Sequence, residues 1–317
     1  MDMTEQKIIA VVGATGAQGG GMARALLDDG EFAVRALTRD PKSAKAAALS
    51  DAGAEVVAAD LDDEASLDAA FAGIHGAFVV TNYWAPLPPD AQRSRAQREL
   101  AQARAAARAL ERAGAHHIVW STLEDTRGQF ADDAAIPDVE GYKVPHFDAK
   151  ADADAFFATI PTTYLRTTLF FENFANAFPP RRGDDGALTL ALPMADQPLA
   201  GMAVDDIGRT ALGVFKRSDL IGQTVSIAGD ILTGDGYAAA LTDALGEPVT
   251  YRPVPFDDFR AQGFPSAVEM GNMFQYYAES SAAFTGARDL DRVGELNPRL
   301  QTFRDWLAGH RDEIEPR

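Results

Sequence analysis

Three glycines, Gly13, Gly16 and Gly19, recur at intervals of three directly after the apolar run Ile8-Ile9-Ala10-Val11-Val12. Glycine lets a backbone turn tightly and come close to a diphosphate. The helix that follows such a turn aims its free N–H groups and positive end at those phosphates. A glycine triplet alone is a weak signal, but one behind an N-terminal apolar strand and ahead of further β–α units is strong. Thr15, Ala17 and Gln18 lie within the same turn and helix start, and Gly20 and Gly21 extend the run.

Charged residues further along decide which dinucleotide the turn would suit. An acid at the tip of the second strand holds a free ribose 2′-hydroxyl, as in NAD, whereas an arginine there accommodates the 2′-phosphate of NADP. Here the strand ends Ala36-Leu37-Thr38-Arg39, with Lys42 three residues on. Arg39 offers a planar fork for phosphate, so the charge logic favours NADP(H). Asp40 stands one step past the tip, before Pro41, where it opens a turn or caps the next helix. Asp60, followed by Leu61, ends the third strand, and that tip faces the adenine. Helix capping by Asp60, Asp62 or Asp63 is the compatible alternative. Thr81 and Asn82 end the fourth strand, beside the nicotinamide half. Tyr83 and Trp84 follow, and either border the cofactor or fill the core.

These residues need a scaffold, and the chain supplies one. Strand-like runs at 8–12, 33–37, 55–58, 76–80 and 117–121 alternate with Ala-rich helical stretches near 18–28, 42–51, 64–72 and 90–113. Short apolar strands separated by helices argue for a doubly wound α/β fold with a parallel sheet, which binds ligands at the carboxyl ends of its strands. Residues 122–144 break the rhythm with a long polar loop containing Asp125, Asp132, Asp133, Pro137 and Gly141. It reads equally as a lid or as a mobile insertion. A helix restarts at Pro145 and runs to about Ile160, a strand follows at 161–166, and 224–228 forms a last sheet strand. The expected division is a Rossmann domain of residues 1–169 and 204–230, and a smaller, discontinuous α+β lobe of 170–203 and 231–317.

Composition narrows the function. The chain has 317 residues, 46% of them hydrophobic, a formal net charge of −18 and no cysteine. The charge opposes direct binding to nucleic acid or anionic membranes. The best basic patch, Arg104, Arg108 and Arg112 on one helical face, is diluted by Glu99 and Glu111 and reads as a solvated face. Without cysteine there are no disulfides or thiolate sites, which fits a cytoplasmic protein. Residues 1–6 lack a signal-peptide pattern, and no run approaches the ~20 apolar residues of a membrane helix. His116 and His117 abut a strand and read as structural or exposed, and no metal-ligand spacing stands out.

Several stretches resemble the NmrA-like branch of the atypical short-chain dehydrogenase/reductases. They are the glycine run 13–20, Thr38-Arg39-Asp40-Pro41, Thr81-Asn82-Tyr83-Trp84, Pro145-His146-Phe147-Asp148-Ala149-Lys150, Phe170-Phe171-Glu172-Asn173-Phe174, Gly263-Phe264-Pro265 and Asn272-Met273-Phe274. The resemblance covers nearly the whole chain and is closest to the subgroup of NADPH-sensor proteins. It implies a Rossmann domain with a small C-terminal domain, and NADP(H). Ordinary members of the superfamily pair a serine with Tyr-x-x-x-Lys. By that resemblance the serine position is Ser121, the lysine that grips the nicotinamide ribose is Lys150, and the tyrosine position holds His146. Imidazole suits proton transfer near neutrality, but a neighbouring lysine and the start of a helix both disfavour its charged, acidic form. Tyr142 is a second candidate donor, at the wrong offset from Lys150.

An intact cradle beside an altered catalytic set implies an NADP(H)-binding redox sensor or regulator that acts through a protein partner or homodimer. The alternative is an NADPH-dependent reductase of quinones or activated double bonds, for which Phe170, Phe171, Phe174, Phe264, Phe274, Tyr276 and Tyr277 would line the substrate lobe, unless they are ordinary core.

Overall fold

A computed structural model describes residues 6–88, 91–130 and 135–316. Expectations touching residues 1–5, Pro89, Asp90, Asp132 and Asp133 fall outside them. The chain divides into two compact units, one of residues 1–124, 149–166 and 205–225, the other of 125–148, 167–204 and 226–317. Residues 125–148, which the strand–helix alternation puts with the Rossmann domain, group here with the second unit.

The first part of the chain runs β1 (Ile8–Val11), α1 (Ala17–Asp29), β2 (Ala33–Thr38), α2 (Ala44–Asp51), β3 (Glu55–Ala58), α3 (Glu64–Phe71), β4 (Gly76–Val79), α4 (Arg95–Ala113) and β5 (His117–Thr122). Then come α5 (Arg127–Phe130), α6 (Pro145–Phe157), β6 (Thr162–Arg166), β7 (Leu169–Phe170), β8 (Arg181–Arg182), β9 (Leu188–Leu192), β10 (Leu199–Met202), α7 (Val204–Phe215) and β11 (Thr224–Ser226). The seven-stranded sheet has the order β11-β6-β5-β4-β1-β2-β3. Strands β1 to β6 pair in parallel throughout. The order reverses beside β1, as in the doubly wound dinucleotide-binding fold.

Local chemistry explains the helix boundaries. Ser43 caps α2 through the Ala46 N–H, Asp63 caps α3, and Ser94 with Gln97 forms a capping box on α4. Such caps satisfy amides that a helix start leaves unpaired. Gly30 and Gly114 stop α1 and α4 in the left-handed conformation, at φ of 74° and 65°. Against the sheet, Trp120 stacks on Phe157 at 4.6 Å between ring centroids, within a core that takes in Phe71, Leu110 and Ile118.

The second unit carries two three-stranded sheets. One is ordered β12 (Asp230–Leu232), β10, β7; the other β13 (Val249–Pro253), β9, β8. Its remaining helices are α8 (Gly234–Leu245), α9 (Phe256–Arg260), α10 (Ala267–Glu279), α11 (Ser281–Gly286), α12 (Leu290–Leu296) and α13 (Phe303–His310). Phe171, Phe174, Tyr237, Phe303 and Trp306 form its aromatic centre, with Phe174 stacked on Tyr237 at 4.7 Å.

Candidate dinucleotide site

The glycine turn joins β1 to α1 at the carboxyl edge of the sheet. Gly13 takes φ of +63°, a conformation that disfavours any side chain. Its carbonyl accepts the Gly16 N–H at 2.8 Å. A Cβ on Gly19 would lie 2.3 Å from the Gly13 oxygen, so the third glycine sets how closely the helix can approach the turn. Gly21 instead meets another helix, since a Cβ on Gly208 of α7 would lie 2.3 Å from the Gly21 carbonyl carbon. At the N-cap of α1, Gly16 offers no side-chain hydrogen bond, and no acid occupies the first turn. Gly13, Gly16 and Ala17 are exposed. Uncapped, exposed amides with no competing carboxylate are what a diphosphate requires, so the residues present fit such a group.

Strand tips flank this turn. The Thr15 and Thr38 hydroxyls lie 3.3 Å apart, and the Leu37 carbonyl accepts the Ala14 N–H. Arg39 and Lys42 are exposed, and their side chains make no ion pair among the described residues. The Asp40 carboxylate accepts the Lys42 N–H at 3.0 Å, so it shapes the turn, while Ser43 is the helix cap. Asp60 accepts the Asp62 N–H at 3.0 Å and Asp63 is the cap of α3. Asp60 and Leu61 are half-buried. Asn82 is exposed and accepts the Trp84 N–H. Tyr83 is buried and packs edge-on against the exposed Trp84.

The serine and lysine positions are internally engaged. Ser121, buried near the end of β5, donates its hydroxyl to the Gln18 side chain at 2.7 Å. The Lys150 ammonium lies 2.9 Å from Glu99 Oε1 and donates to Thr81 Oγ1 at 2.7 Å, while Thr81 donates to Glu99 at 2.6 Å. Glu99 is 2% exposed, which corrects the expectation that it dilutes a solvated face. The signal was present: Ala96, Glu99, Ala103, Ala106 and Leu110 recur at the spacing of a buried helix stripe. Arg104, Arg108 and Arg112 are exposed as expected, with Arg104 over the Phe156 ring and Arg112 bonded to Glu64 and Asp68. One turn beyond Lys150, Asp154 accepts from Trp120 Nε1 at 2.8 Å and Thr122 Oγ1 at 2.6 Å. Burial pushes its carboxyl above the usual range, against the pull of those bonds.

In the second unit, His146 Nδ1 lies 2.6 Å from Glu269 Oε1, and both residues are buried. Sequence reasoning passed over Glu269, whose partner is 123 positions away. Asp148 accepts from the Thr126 N–H and hydroxyl and from the Val144 N–H. Burial raises its pKa despite those donors. Asn272 donates to the Pro137 and Lys143 carbonyls. The described part of the polar loop is therefore tied down at both ends. Tyr142 is half-buried and bridges Val139 through backbone bonds. Of the expected substrate-lobe aromatics, Phe171, Phe174, Phe274, Tyr276 and Tyr277 are core, and Phe264 is exposed.

At the opposite, amino edge of the sheet, a cavity of about 510 Å³ is lined by Lys7, Phe32, His75, His116, His117 and Phe215 among others. His117 is buried, bonded to Thr163 at 3.0 Å, and burial with the nearby His75 lowers its pKa to about 4. His116 is exposed. Among the described residues no group of three or more His, Cys, Asp or Glu could hold a metal ion, and no helix is long and apolar enough to cross a membrane.

Sheet order and glycine turn define a Rossmann-type α/β protein. Residues 5–307 match the NmrA-like family, and the chain belongs to it. A Cladobotryum sp. relative, the NmrA-like family domain-containing oxidoreductase FrzB, is 29% identical over 96% of this chain and 98% of its own. The oxidoreductase notA' of Aspergillus versicolor is 34% identical, covering 74% of this chain and 68% of its own. Among solved structures, NmrA, a negative transcriptional regulator, superposes with a TM-score of 0.76 at 22% identity over 96% of this chain and 95% of that one. NmrA has also been solved in complex with NADP and with NAD.

Proposed function

We propose that this protein binds NADP(H) through the glycine turn and Arg39 and acts as a redox sensor or regulator. The observation that carries the reading is a contrast within one sheet edge. The start of α1 has neither a side-chain cap nor an acid in its first turn, and the Arg39 guanidinium is exposed with no ion pair among the described residues, while the Ser121 donor is engaged by Gln18 and the Lys150 ammonium by Glu99. In this reading Gly13, Thr15, Gly16, Ala17, Gln18 and Gly19 hold the pyrophosphate, Arg39 and Lys42 the 2′-phosphate, and Asp60 and Leu61 border the adenine. Thr81, Asn82 and Lys150 lie along the nicotinamide half. NmrA, a regulator solved with NADP, supports this by its fold. Bound NADP(H) would supply hydride chemistry, and the chain's own residues bind and orient it.

Titration calorimetry with NADP⁺ and NAD⁺ tests the cradle, and size-exclusion chromatography with limited proteolysis, with and without ligand, tests the sensor. NADP⁺ binds more tightly and changes the assembly or cleavage pattern. A ligand shifts states only through unequal affinity for them, so unchanged patterns at saturation would remove the sensor role. A second reading, an NADPH-dependent reductase of quinones or activated double bonds, is favoured by the oxidoreductase names of the relatives. Ser121 and Lys150, both of the first unit, would be its site residues. NADPH oxidation above background with any member of a quinone and enone panel would establish it.

A further inference from the structure

Resting on the dinucleotide reading, we propose that Glu99 is a positioning residue for the nicotinamide-ribose end of the cofactor, acting through Lys150. Glu99 takes both of its hydrogen bonds at Oε1, and its Oε2 is buried with no partner among the described residues. Lys150 is the one cation within ion-pair distance of it among the described residues. A buried carboxylate is costly unless paired, so the ammonium is firmly held. That matters because a lysine stem is flexible and its charge otherwise wanders.

Two of the three ammonium hydrogens are committed, to Glu99 Oε1 and Thr81 Oγ1. The third faces the Thr81 carbonyl at 3.4 Å, at the far limit of a hydrogen bond. It is the donor that a sugar hydroxyl can take over with least loss. The Trp120 ring, 5.2 Å from Nζ, limits movement on another side. The cation is thus fixed at the carboxyl end of β4, next to Val80, whose methyl lies 3.9 Å from where a Gly13 Cβ would stand. Strand β4 flanks β1 on the side away from β2 and Arg39. A dinucleotide across this crevice has its adenosine over β2 and its other ribose over β4. Stability alone accounts poorly for the pair, because apolar residues of similar volume usually replace a buried ion pair without loss.

The test compares NADP⁺ with adenosine 2′,5′-bisphosphate, which lacks the nicotinamide half. Calorimetry on Glu99→Gln shows NADP⁺ affinity falling about tenfold while the bisphosphate stays within about twofold. Glu99→Asp, which keeps the carboxylate but shortens its reach to the ammonium, gives the same selective loss, and it carries the comparison should Glu99→Gln fail to fold. A purely structural pair would lower the melting temperature and leave both affinities unchanged, or weaken both alike; either result overturns the proposal. Wild-type protein that bound neither probe would remove the dinucleotide reading itself. Wild-type protein that bound both, with no selective loss in the variants, would remove only the role of Glu99.

Discussion

The turn at β1–α1 and the polar groups near β4 and β5 occupy the same edge of one sheet, yet they are built in opposite ways. The turn is backbone: its geometry rests on Gly13 at positive φ and on Gly19 lying too close to the Gly13 carbonyl for a side chain. The polar groups are side chains whose positions depend on partners far along the chain, with Ser121 on Gln18 and Lys150 on Glu99. A backbone site presents open donors at no cost in side-chain ordering. A side-chain site has its donors already occupied, and any ligand must compete for them.

Four measurements can break or sharpen this contrast. Gly19→Ala places a methyl against backbone and should destabilise by about 5 kcal/mol in urea unfolding; a loss under about 1 kcal/mol would mean that the turn can relax and is not rigidly specified. Lys150→Met leaves the Glu99 carboxylate buried without its cation, for about 4 kcal/mol of lost stability, and adding Glu99→Gln recovers at least half of it. No recovery would show that Glu99 and Lys150 are not coupled. His117 tests a buried group that has no ionic partner. The folded protein holds its pKa at about 4, against 6.5 for an ordinary histidine. As pH falls, the unfolded chain takes up that proton first, so stability declines between pH 6.5 and about 4, by up to about 3 kcal/mol in all. His117→Gln flattens the decline. Asp148 and Asp154, with raised pKa values, act in the other direction, so the difference between the two proteins is the readout. Equal slopes would show that His117 is solvated. The smallest effect is Arg39→Ala, about tenfold weaker NADP⁺ binding with NAD⁺ unchanged. Equal changes for both would deny Arg39 its role in discrimination.

Much of the backbone half was legible because it depends on neighbours in sequence. The glycine spacing, the strand that precedes it and the cap at Asp63 all act within a few residues, whereas the cap of α2 falls on Ser43 and not on Asp40. The parallel, doubly wound sheet followed from the β–α alternation. Pairings of side chains were opaque for the same reason reversed. Nothing local announces that Glu269 meets His146, or that Gln18 meets Ser121, since 123 and 103 positions separate them. Glu99 is intermediate: its place in an apolar helix stripe marks it as buried, but its partner comes from another helix. The polar loop was ambiguous because its anchors, Asp148 and Asn272, lie outside it.

The five-glycine run has a bearing on coenzyme engineering. A side chain on Gly19 would meet backbone at the turn, and one on Gly208 of α7 would meet the Gly21 backbone, so neither glycine tolerates decoration. Arg39 stands in solvent with no internal bond depending on it. Attempts to exchange one pyridine nucleotide for the other can therefore begin at the tip of β2, where a substitution alters recognition without disturbing the scaffold beneath.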